Sequence, residues 1–385
     1  MRRSSAAVAA VLGILIPSLS VGAAPSAVRR VGAPTAAEAV CHGRAPCASP
    51  ARYVAPMGSD ANTGTLKQPW KTLGKAIRVL GPGQTAYLRA GVYSEATGGA
   101  CGSSYNVLTW SRSGTASAPI TISGYPGEKA QVLVQTKLKL TGSYLRLTDL
   151  VLDRNRAYSS FDNACTGEPN VNVYGDDVEL NGLEIRNSNM SGIYLSAADR
   201  VAILRNWIHD NGTHPELDHG IYVSSSTSMV IANNLIERNL AYGIHIYPDA
   251  TDGARVFQNT VVAQGRSGLV LSGASSRNLI ANNIFALNQE YGIREDELNG
   301  TDNEAIRNLF YGNRRGAFWL PDGRMTESQS IFGDPLFVHA AARNYRLRAG
   351  SPALHRALPA FSRAFDYEGR RRPRGRGPDV GAFER

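Results

Sequence analysis

The sequence predicts an all-β fold, a parallel β-helix solenoid that begins with a capping helix. The first observation is a repeat in which a glycine followed by an apolar residue recurs every 23 to 28 residues. The six steps are Gly192-Ile193, Gly220-Ile221, Gly243-Ile244, Gly268-Leu269, Gly292-Ile293 and Gly316-Ala317. A period near 25 residues, repeated this often, is typical of a solenoid.

Two columns of amide side chains keep the same register, which is the second observation. The first column is Asn206, Asn234, Asn259, Asn283 and Asn308, and the second is Asn211, Asn239, Gln264, Asn288 and Asn313. Asparagine tolerates left-handed backbone geometry, and its side-chain amide can bond to the amide of the next coil. The columns therefore predict amide ladders inside the solenoid.

Short apolar runs within each repeat are the third observation. Runs such as residues 201–204, 207–208 and 221–223 are too short for helices and are separated by Asn, Gly and Asp. We therefore expect two or three strands per coil, each paired with strands of the coils above and below.

The order of segments along the chain follows from its composition. Residues 1–23 combine Arg2-Arg3, an apolar run and a small-residue site ending at Ala23, which predicts a signal peptide and a secreted protein. Residues 24–51 form a low-complexity linker, and residues 52–340 are assigned to the β-helix with its N-terminal cap. Residues 341–385 are assigned to a C-terminal closing segment whose Arg-rich stretch is expected to be solvated.

A capping helix is predicted over residues 70–80, because Leu73, Ile77 and Leu80 recur at helical spacing. A terminal coil without a cap would expose strand edges and core side chains. We therefore expect this helix to cover the N-terminal end of the solenoid.

The N-terminal pattern of Gly58-Ser59-Asp60, the predicted helix, Pro82-Gly83 and Gly91-Val92-Tyr93 resembles the pectate-lyase-like superfamily. Residues 333–337 and 379–384 are similar to the closing segment of such secreted proteins. The resemblance implies a right-handed parallel β-helix and a carbohydrate substrate. It does not select a reaction, because one fold hosts many chemistries.

The four cysteines of an exported chain are expected to form two disulfides. Three connectivities are possible. Closeness in sequence favours Cys41 with Cys47, and a Cys101–Cys165 bond would join two long early loops.

The formal net charge of +9 suggests a polyanionic partner, but the charge is unevenly distributed. Residues 141–340 contain 15 Arg, no Lys and 24 Asp plus Glu, so this part carries 15 − 24 = −9. A uronate polymer would therefore need a local arginine or a calcium ion to offset repulsion, unless the substrate is neutral. We expect a monomer that binds a polysaccharide and neither nucleic acid nor a membrane.

Positions two and four residues after each repeat glycine are expected to face outward, because side chains alternate along a strand. The first column reads Tyr194, Tyr222, His245, Val270, Arg294 and Phe318, and the second reads Ser196, Ser224, Tyr247, Ser272 and Asp296. Adjacent coils lie about 4.8 Å apart, so the two columns form one face that suits a linear sugar chain.

Titratable side chains concentrate on this face in residues 209–222, where the coil is lengthened by about three residues, and in residues 242–249. Removing the proton next to a uronate carboxylate requires a base and a cation. The candidate catalytic residues are Asp218, His219, Tyr222, His245 and Tyr247. In the leading assignment His245 or His219 is the base, and a tyrosine donates to the leaving oxygen.

The cation has two candidate sources. No lysine follows Lys139, so the lysine base of several β-helix lyase families is missing from the repeats, and Arg294 or Arg266 is expected to neutralise the carboxylate. The other expected substrate contacts are Tyr194, His214 and Tyr242. Calcium is the alternative cation, with Asp249, Asp252 and Asp296 as its candidate oxygen ligands.

The predicted function is a polysaccharide lyase that cleaves a uronate-containing polymer by β-elimination. A uronate epimerase would share the proton abstraction. Glycoside hydrolysis through Asp218 and Asp249 is the runner-up, because it needs a carboxylic acid and a carboxylate that flank the glycosidic bond. A non-catalytic polysaccharide-binding solenoid is the third class.

Overall fold

A computed structural model of the chain describes residues 51–94, 107–133, 137–153, 170–247 and 251–385. In this part of the chain the strands form three long parallel sheets, wound as a right-handed β-helix, and one antiparallel hairpin. The predicted fold is confirmed. The predicted signal peptide, nearly all of the linker and all four cysteines lie outside the described residues. Within the described ranges, no helix has the length and apolar character needed to cross a bilayer.

Each complete coil contributes one strand to each of the three sheets. The 9-stranded sheet contains Val107–Trp110, Lys137–Leu140, Val171–Val173, Ile193–Ser196, Ile221–Ser224, Ile244–Ile246, Leu269–Ser272, Tyr291–Asp296 and Gly316–Trp319. The 11-stranded sheet contains Arg52–Val54, Thr85–Leu88, Ile120–Gly124, Leu145–Thr148, Glu179–Asn181, Ala202–Leu204, Val230–Ala232, Arg255–Phe257, Leu279–Ala281, Asn303–Ile306 and Met325–Ser328. The 10-stranded sheet contains Gly91–Ser94, Ala130–Leu133, Val151–Asp153, Glu184–Arg186, Trp207–His209, Leu235–Glu237, Thr260–Val262, Ile284–Ala286, Leu309–Tyr311 and Ile331–Phe332.

Both predicted amide ladders run through the interior. In the first ladder each Nδ2 donates to the Oδ1 of the next coil, from Asn206 to Asn308, at 2.9–3.1 Å. The second ladder includes Asn211 to Asn239 at 2.9 Å and Asn239 to Gln264 at 3.2 Å. These amides are buried, so each bond that is made avoids the cost of an unsatisfied polar group.

The ladder asparagines do not themselves adopt the left-handed conformation that favours asparagine in turns. The residue just before each one does so, with φ of 53–56° at Arg205, Asn233, Gln258, Asn282 and Arg307. This single left-handed residue turns the chain from the 11-stranded to the 10-stranded sheet. The following asparagine is then free to bond along the solenoid axis.

The repeat glycines serve close packing between coils. A Cβ atom on Gly220 would lie 2.6 Å from the Gly243 carbonyl oxygen and 2.8 Å from Nδ2 of Asn239. A larger residue at this position would therefore push neighbouring coils apart.

The predicted capping helix is present but shorter, over Leu73–Val79. The Thr72 hydroxyl caps it by accepting the Lys75 N–H at 3.0 Å, and Leu73, Ala76 and Ile77 are buried in the solenoid core. Such a cap is worth about 1 kcal/mol.

The C-terminal segment lies along the side of the solenoid. Strands Phe337–His339 and Asn344–Leu347 form an antiparallel hairpin, and a second apolar cluster joins Tyr345 and Phe383 to the outer face of the 10-stranded sheet. The expectation of a solvated Arg-rich stretch is wrong for Arg372. This side chain is 5% exposed and donates to the carbonyl oxygens of Asp379 and Gly381.

Candidate active site

The outward column predicted on the 9-stranded sheet is present over five coils. The strand register pairs Tyr194 with Tyr222, Tyr222 with His245, His245 with Val270 and Val270 with Arg294. Val270 is fully buried, so the column is divided into an aromatic part and an arginine part.

The last member of the column differs from the prediction. Arg294 pairs with Trp319, whereas Phe318 turns inward and contacts Phe310 with 4.5 Å between ring centroids. The cause is Gly316, which lies one position before the register of the other repeat glycines and has a φ of 129°. Trp319 therefore takes the outward place that Phe318 was expected to hold.

Aromatic rings stack along the first part of the column. Ring centroids are 5.3 Å apart for Tyr194 and Tyr222, 5.3 Å for Tyr222 and His245, and 5.5 Å for His245 and Tyr247. The four side chains thus form one aromatic stack, here called the Tyr–His stack. Stacked tyrosines of this kind suit the apolar faces of sugar rings.

His219 lies behind this stack and contacts His245. His219 Nε2 is 3.0 Å from Nδ1 of His245, and His219 Nδ1 accepts the backbone N–H of Tyr242 at 3.4 Å. Its side chain is 3% exposed and stacks on the Tyr242 ring. Both ring nitrogens of His219 therefore already have neighbours, which places it as a supporting residue behind His245.

Both histidines are neutral at neutral pH. Burial lowers the pKa of His219 well below its usual value, and the neighbouring His245 and Arg266 add to the effect. Burial also lowers the pKa of His245 to about 4, with Arg294 and Arg266 contributing and Asp296 opposing. The two neutral imidazoles therefore share one hydrogen bond over most of the physiological pH range.

The predicted carboxylate partner Arg294 is held by three neighbours. Its Nη2 is 2.8 Å from Asp296, its Nη1 is 3.7 Å from Glu290, and its guanidinium lies 4.8 Å from the Trp319 ring centroid. This packing keeps the planar donor group at the outward face, where it can bind a carboxylate.

Glu290 is a site residue that the sequence prediction missed. Its carboxylate is 3.4 Å from Arg266, 3.7 Å from Arg294 and 3.9 Å from Arg315, and it accepts the Ser267 hydroxyl at 3.2 Å. Three guanidinium groups and the carboxylates of Glu290 and Asp296 leave a net local charge of 3 − 2 = +1. A uronate substrate would be attracted to it even though the solenoid is acidic as a whole.

A signal for Glu290 was present in the sequence. Asp218, Arg266 and Glu290 all lie two residues before a repeat glycine, so they form a column of their own. Reading that column would have placed Arg266 and Glu290 on adjacent coils, where opposite charges meet.

Asp218 stabilises the lengthened loop. Its buried Oδ2 accepts the backbone N–H groups of Thr213 and His214 at 2.7 and 2.5 Å, and burial raises its pKa. His214 lies at the exposed tip of this loop. The structure thus gives Asp218 a loop-supporting position, in place of the expected catalytic one.

Tyr242 was expected to bind substrate but is only 3% exposed. The Arg266 guanidinium covers its ring, with 4.8 Å to the centroid. Tyr242 therefore lies beneath Arg266 and beside His219, with little of its surface open to a sugar.

Two of the three candidate calcium ligands, Asp252 and Asp296, lie within the described residues, and each is paired with an arginine. Asp252 pairs with Arg277 at a corner near the 11-stranded sheet, Asp296 pairs with Arg294, and Asp249 lies outside the described residues. The described part of the chain holds no group of three or more His, Cys, Asp or Glu side chains suited to a metal ion. The two described carboxylates would therefore have to exchange an arginine for calcium, and calcium stays a prediction.

Lys139 shares the outward column, which the sequence prediction did not recognise. It pairs with Asn172, which pairs in turn with Tyr194, and its ammonium lies 4.7 Å from the Tyr174 ring centroid. At about 4.8 Å per coil, Lys139 lies about 14 Å from Tyr222 along the face. The face therefore has cations on both sides of the Tyr–His stack.

Comparison with known proteins identifies the architecture. A family model described as the Pel9A-like, right-handed β-helix region matches residues 52–255 of the 385-residue chain. The crystal structure of pectate lyase Pel9A superposes with a TM-score of 0.63 and 13% identity, covering 87% of this chain and 97% of that one. A GH136 lacto-N-biosidase from Eubacterium ramulus superposes with a TM-score of 0.52 and 16% identity, covering 73% and 67%.

Two curated proteins share shorter stretches. Pectate lyase PEL9 of Emericella nidulans is 36% identical over 76 residues, which are 20% of this chain and 16% of that protein. The uncharacterized protein YwoF of Bacillus subtilis is 27% identical over 177 residues, which are 44% of this chain and 30% of that protein. The chain thus matches less than a third of the length of either relative.

Proposed function

The chain belongs to the Pel9A-like right-handed β-helix family, and from this premise we propose that it is a secreted polysaccharide lyase that cleaves a uronate-containing polymer by β-elimination. One observation carries the proposal. The outward face of the 9-stranded sheet places the Tyr–His stack beside Arg294, which bears a fixed positive charge. Proton-transfer groups next to a carboxylate-binding group are what the elimination requires.

The arginines are assigned to the substrate carboxylate. Arg294 and Arg266 both contact Glu290, and Arg294 also contacts Asp296, so an incoming uronate would compete for guanidinium donors that are already oriented. Their charge stabilises the carboxylate as negative charge develops on the sugar. The name of the pectate lyase PEL9 relative supports a uronate polymer as substrate.

Hydrolysis is less well supported by the side-chain positions. It needs two carboxyl groups on opposite sides of the scissile bond, one of them protonated. Asp218 is occupied by two backbone N–H groups, while Glu290 and Asp296 are paired with arginines. The elimination needs neither carboxyl group as an acid.

A spectroscopic assay separates the candidate functions. The protein is incubated with pectate, alginate and glycosaminoglycans, and the absorbance of unsaturated uronate products is recorded. New absorbance is expected with at least one uronate polymer. New reducing ends without absorbance would instead indicate hydrolysis, and binding without either signal would indicate a non-catalytic solenoid. A parallel reaction with a chelator tests whether the reaction requires calcium.

Arg294→Gln is the matched test of the charge assignment. We expect the rate to fall by about 100-fold or more, because one donor aimed at a developing oxyanion is typically worth that much. Arg255→Gln is the control, since Arg255 is exposed on the 11-stranded sheet. Equal rates for the two variants would contradict the role of Arg294.

A further inference from the structure

The residue just before the repeat glycine has a recurring structural task. Ser191 Oγ accepts the backbone N–H of His219 at 3.0 Å, and Ser267 Oγ accepts the backbone N–H of Tyr291 at 3.4 Å. His219 Nδ1 does the same for the backbone N–H of Tyr242 in the next coil. His219 therefore occupies a position where the repeat requires a hydrogen-bond acceptor.

This requirement fixes the tautomer of His219. A backbone N–H can only donate, so Nδ1 of His219 must present its lone pair to Tyr242. The single proton of a neutral His219 then lies on Nε2, which is 3.0 Å from Nδ1 of His245. Nδ1 of His245 accepts that proton in a hydrogen bond, so His245 carries its own proton on Nε2.

We propose that His219 is a positioning residue that holds His245 in the tautomer with Nε2–H directed at the substrate. His245 then acts as a neutral hydrogen-bond donor. The 3.5 Å separation between Nε2 and Ser272 Oγ is long for a hydrogen bond, which leaves this N–H available to a ligand. The catalytic consequence rests on the proposed lyase reaction, whereas the tautomer itself does not.

With His245 as a donor, another side chain must act as the base in the elimination. His245 joins Arg294 as a donor to the uronate carboxylate and is no longer the expected base. In this assignment Tyr222 or Tyr247, both stacked on His245, would act as the base through its phenolate oxygen and take the proton from C5. The C5–H electron pair becomes the C4=C5 double bond as the C4–O4 bond breaks, and the same phenol returns the proton to O4.

Nuclear magnetic resonance tests the tautomer without substrate. The full chain is labelled with 15N-histidine, and the signals of His219 and His245 are identified among the seven histidines by single substitutions. At neutral pH we expect both side chains to be neutral with the proton on Nε2. A proton on Nδ1 of His245, or a charged His245, would overturn the inference even if the protein proves to be a lyase.

His219→Ser separates positioning from folding. Serine fills the equivalent place at Ser191 and Ser267, so this variant should keep the Tyr242 contact and stay folded, with a melting temperature lowered only by the lost ring packing. It lacks the donor to His245, so we expect a mixed His245 tautomer and a kcat lowered about 10-fold with little change in KM. His219→Gln, which retains an N–H donor, should restore most of the rate. An unchanged tautomer and rate in His219→Ser would refute the role of His219.

Discussion

Two histidines on different faces of the same solenoid have opposite electrostatic surroundings. His209 lies on the 10-stranded sheet, with Asp210 2.6 Å from Nδ1 and Glu184 3.8 Å from Nε2. Burial alone would lower its pKa, but these two carboxylates outweigh burial and raise it. His245 has an imidazole and arginines as neighbours, so burial and positive charge together lower its pKa to about 4.

The contrast is between a histidine that holds two segments of the chain together and one that lies on the proposed substrate face. Around His209, Arg343 of the C-terminal hairpin binds Asp210 at 2.7 Å, and the Tyr345 hydroxyl donates to the buried Glu237 at 2.7 Å. This His209 cluster, made of His209, Asp210, Glu237, Arg343 and Tyr345, attaches the hairpin to the solenoid. His245 has no carboxylate in hydrogen-bond contact among the described residues, and its ring nitrogens contact His219 and Ser272 instead.

The largest expected effect is a loss of activity on substitution of His245 that substitution of His209 does not cause. His245→Phe should lower kcat at least about 100-fold, because it keeps a ring in the stack but removes the N–H donor from the substrate face, and it should change the melting temperature less than His209→Gln does. His209→Gln should lower the melting temperature and leave the kcat of the folded protein unchanged. Steady-state kinetics and calorimetry on both variants check this, and the reverse pattern would invalidate the comparison.

The second prediction concerns the attachment of the hairpin. Arg343→Met should lower the free energy of unfolding by about 2 kcal/mol, because Asp210 and Glu237 would each lose a charged partner while keeping their contacts with His209 and Tyr345. Urea denaturation measures the change. Arg348→Met is the matched control, since Arg348 is exposed in the same segment. A similar loss in both variants would mean that the His209 cluster is not what holds the hairpin.

The third prediction uses the opposite pKa directions. Between about pH 4 and pH 6.5 the unfolded chain binds a proton at His245 that the folded chain does not, so stability should rise with pH in this window. His245→Gln should flatten that slope by about 1 kcal/mol per pH unit. His209 acts in the other direction, because its stabilisation is complete below pH 6.5 and is lost as pH rises through its raised pKa.

Unfolding curves at a series of pH values distinguish the two contributions. In a plot of unfolding free energy against pH, His209→Gln should flatten only the part above pH 6.5. His245→Gln should flatten only the part below pH 6.5. If both variants altered the same side, the assignment of opposite surroundings would be wrong.

The sequence was sufficient for the fold and for the outward column, because glycine spacing sets the coil and strand alternation sets the face. The predicted outward position of Phe318 was wrong, because Gly316 satisfies the repeat pattern but lies out of register. The sequence prediction also missed Lys139, whose coil has no repeat glycine to mark the register.

The contact between His219 and His245 could not be read from strand alternation. His219 precedes its strand and lies just before the repeat glycine, at a position where side chains bond to the next coil. Glu290 also precedes its glycine, and its three arginines come from different coils. The residues after each glycine identify the outward face. The residues that orient its side chains precede the glycine.

The smallest expected effect tests whether a short contact between an arginine and a carboxylate is by itself enough to stabilise the fold. Arg200 is 2.9 Å from Asp177, a distance close to that between Arg343 and Asp210, yet its side chain is 52% exposed. Water screens such a pair, so Arg200→Gln should leave the melting temperature and the rate unchanged within error. Calorimetry alongside Arg343→Met makes the comparison direct. A loss as large as that of Arg343→Met would show that distance, and not burial among several carboxylates, sets the strength of the His209 cluster.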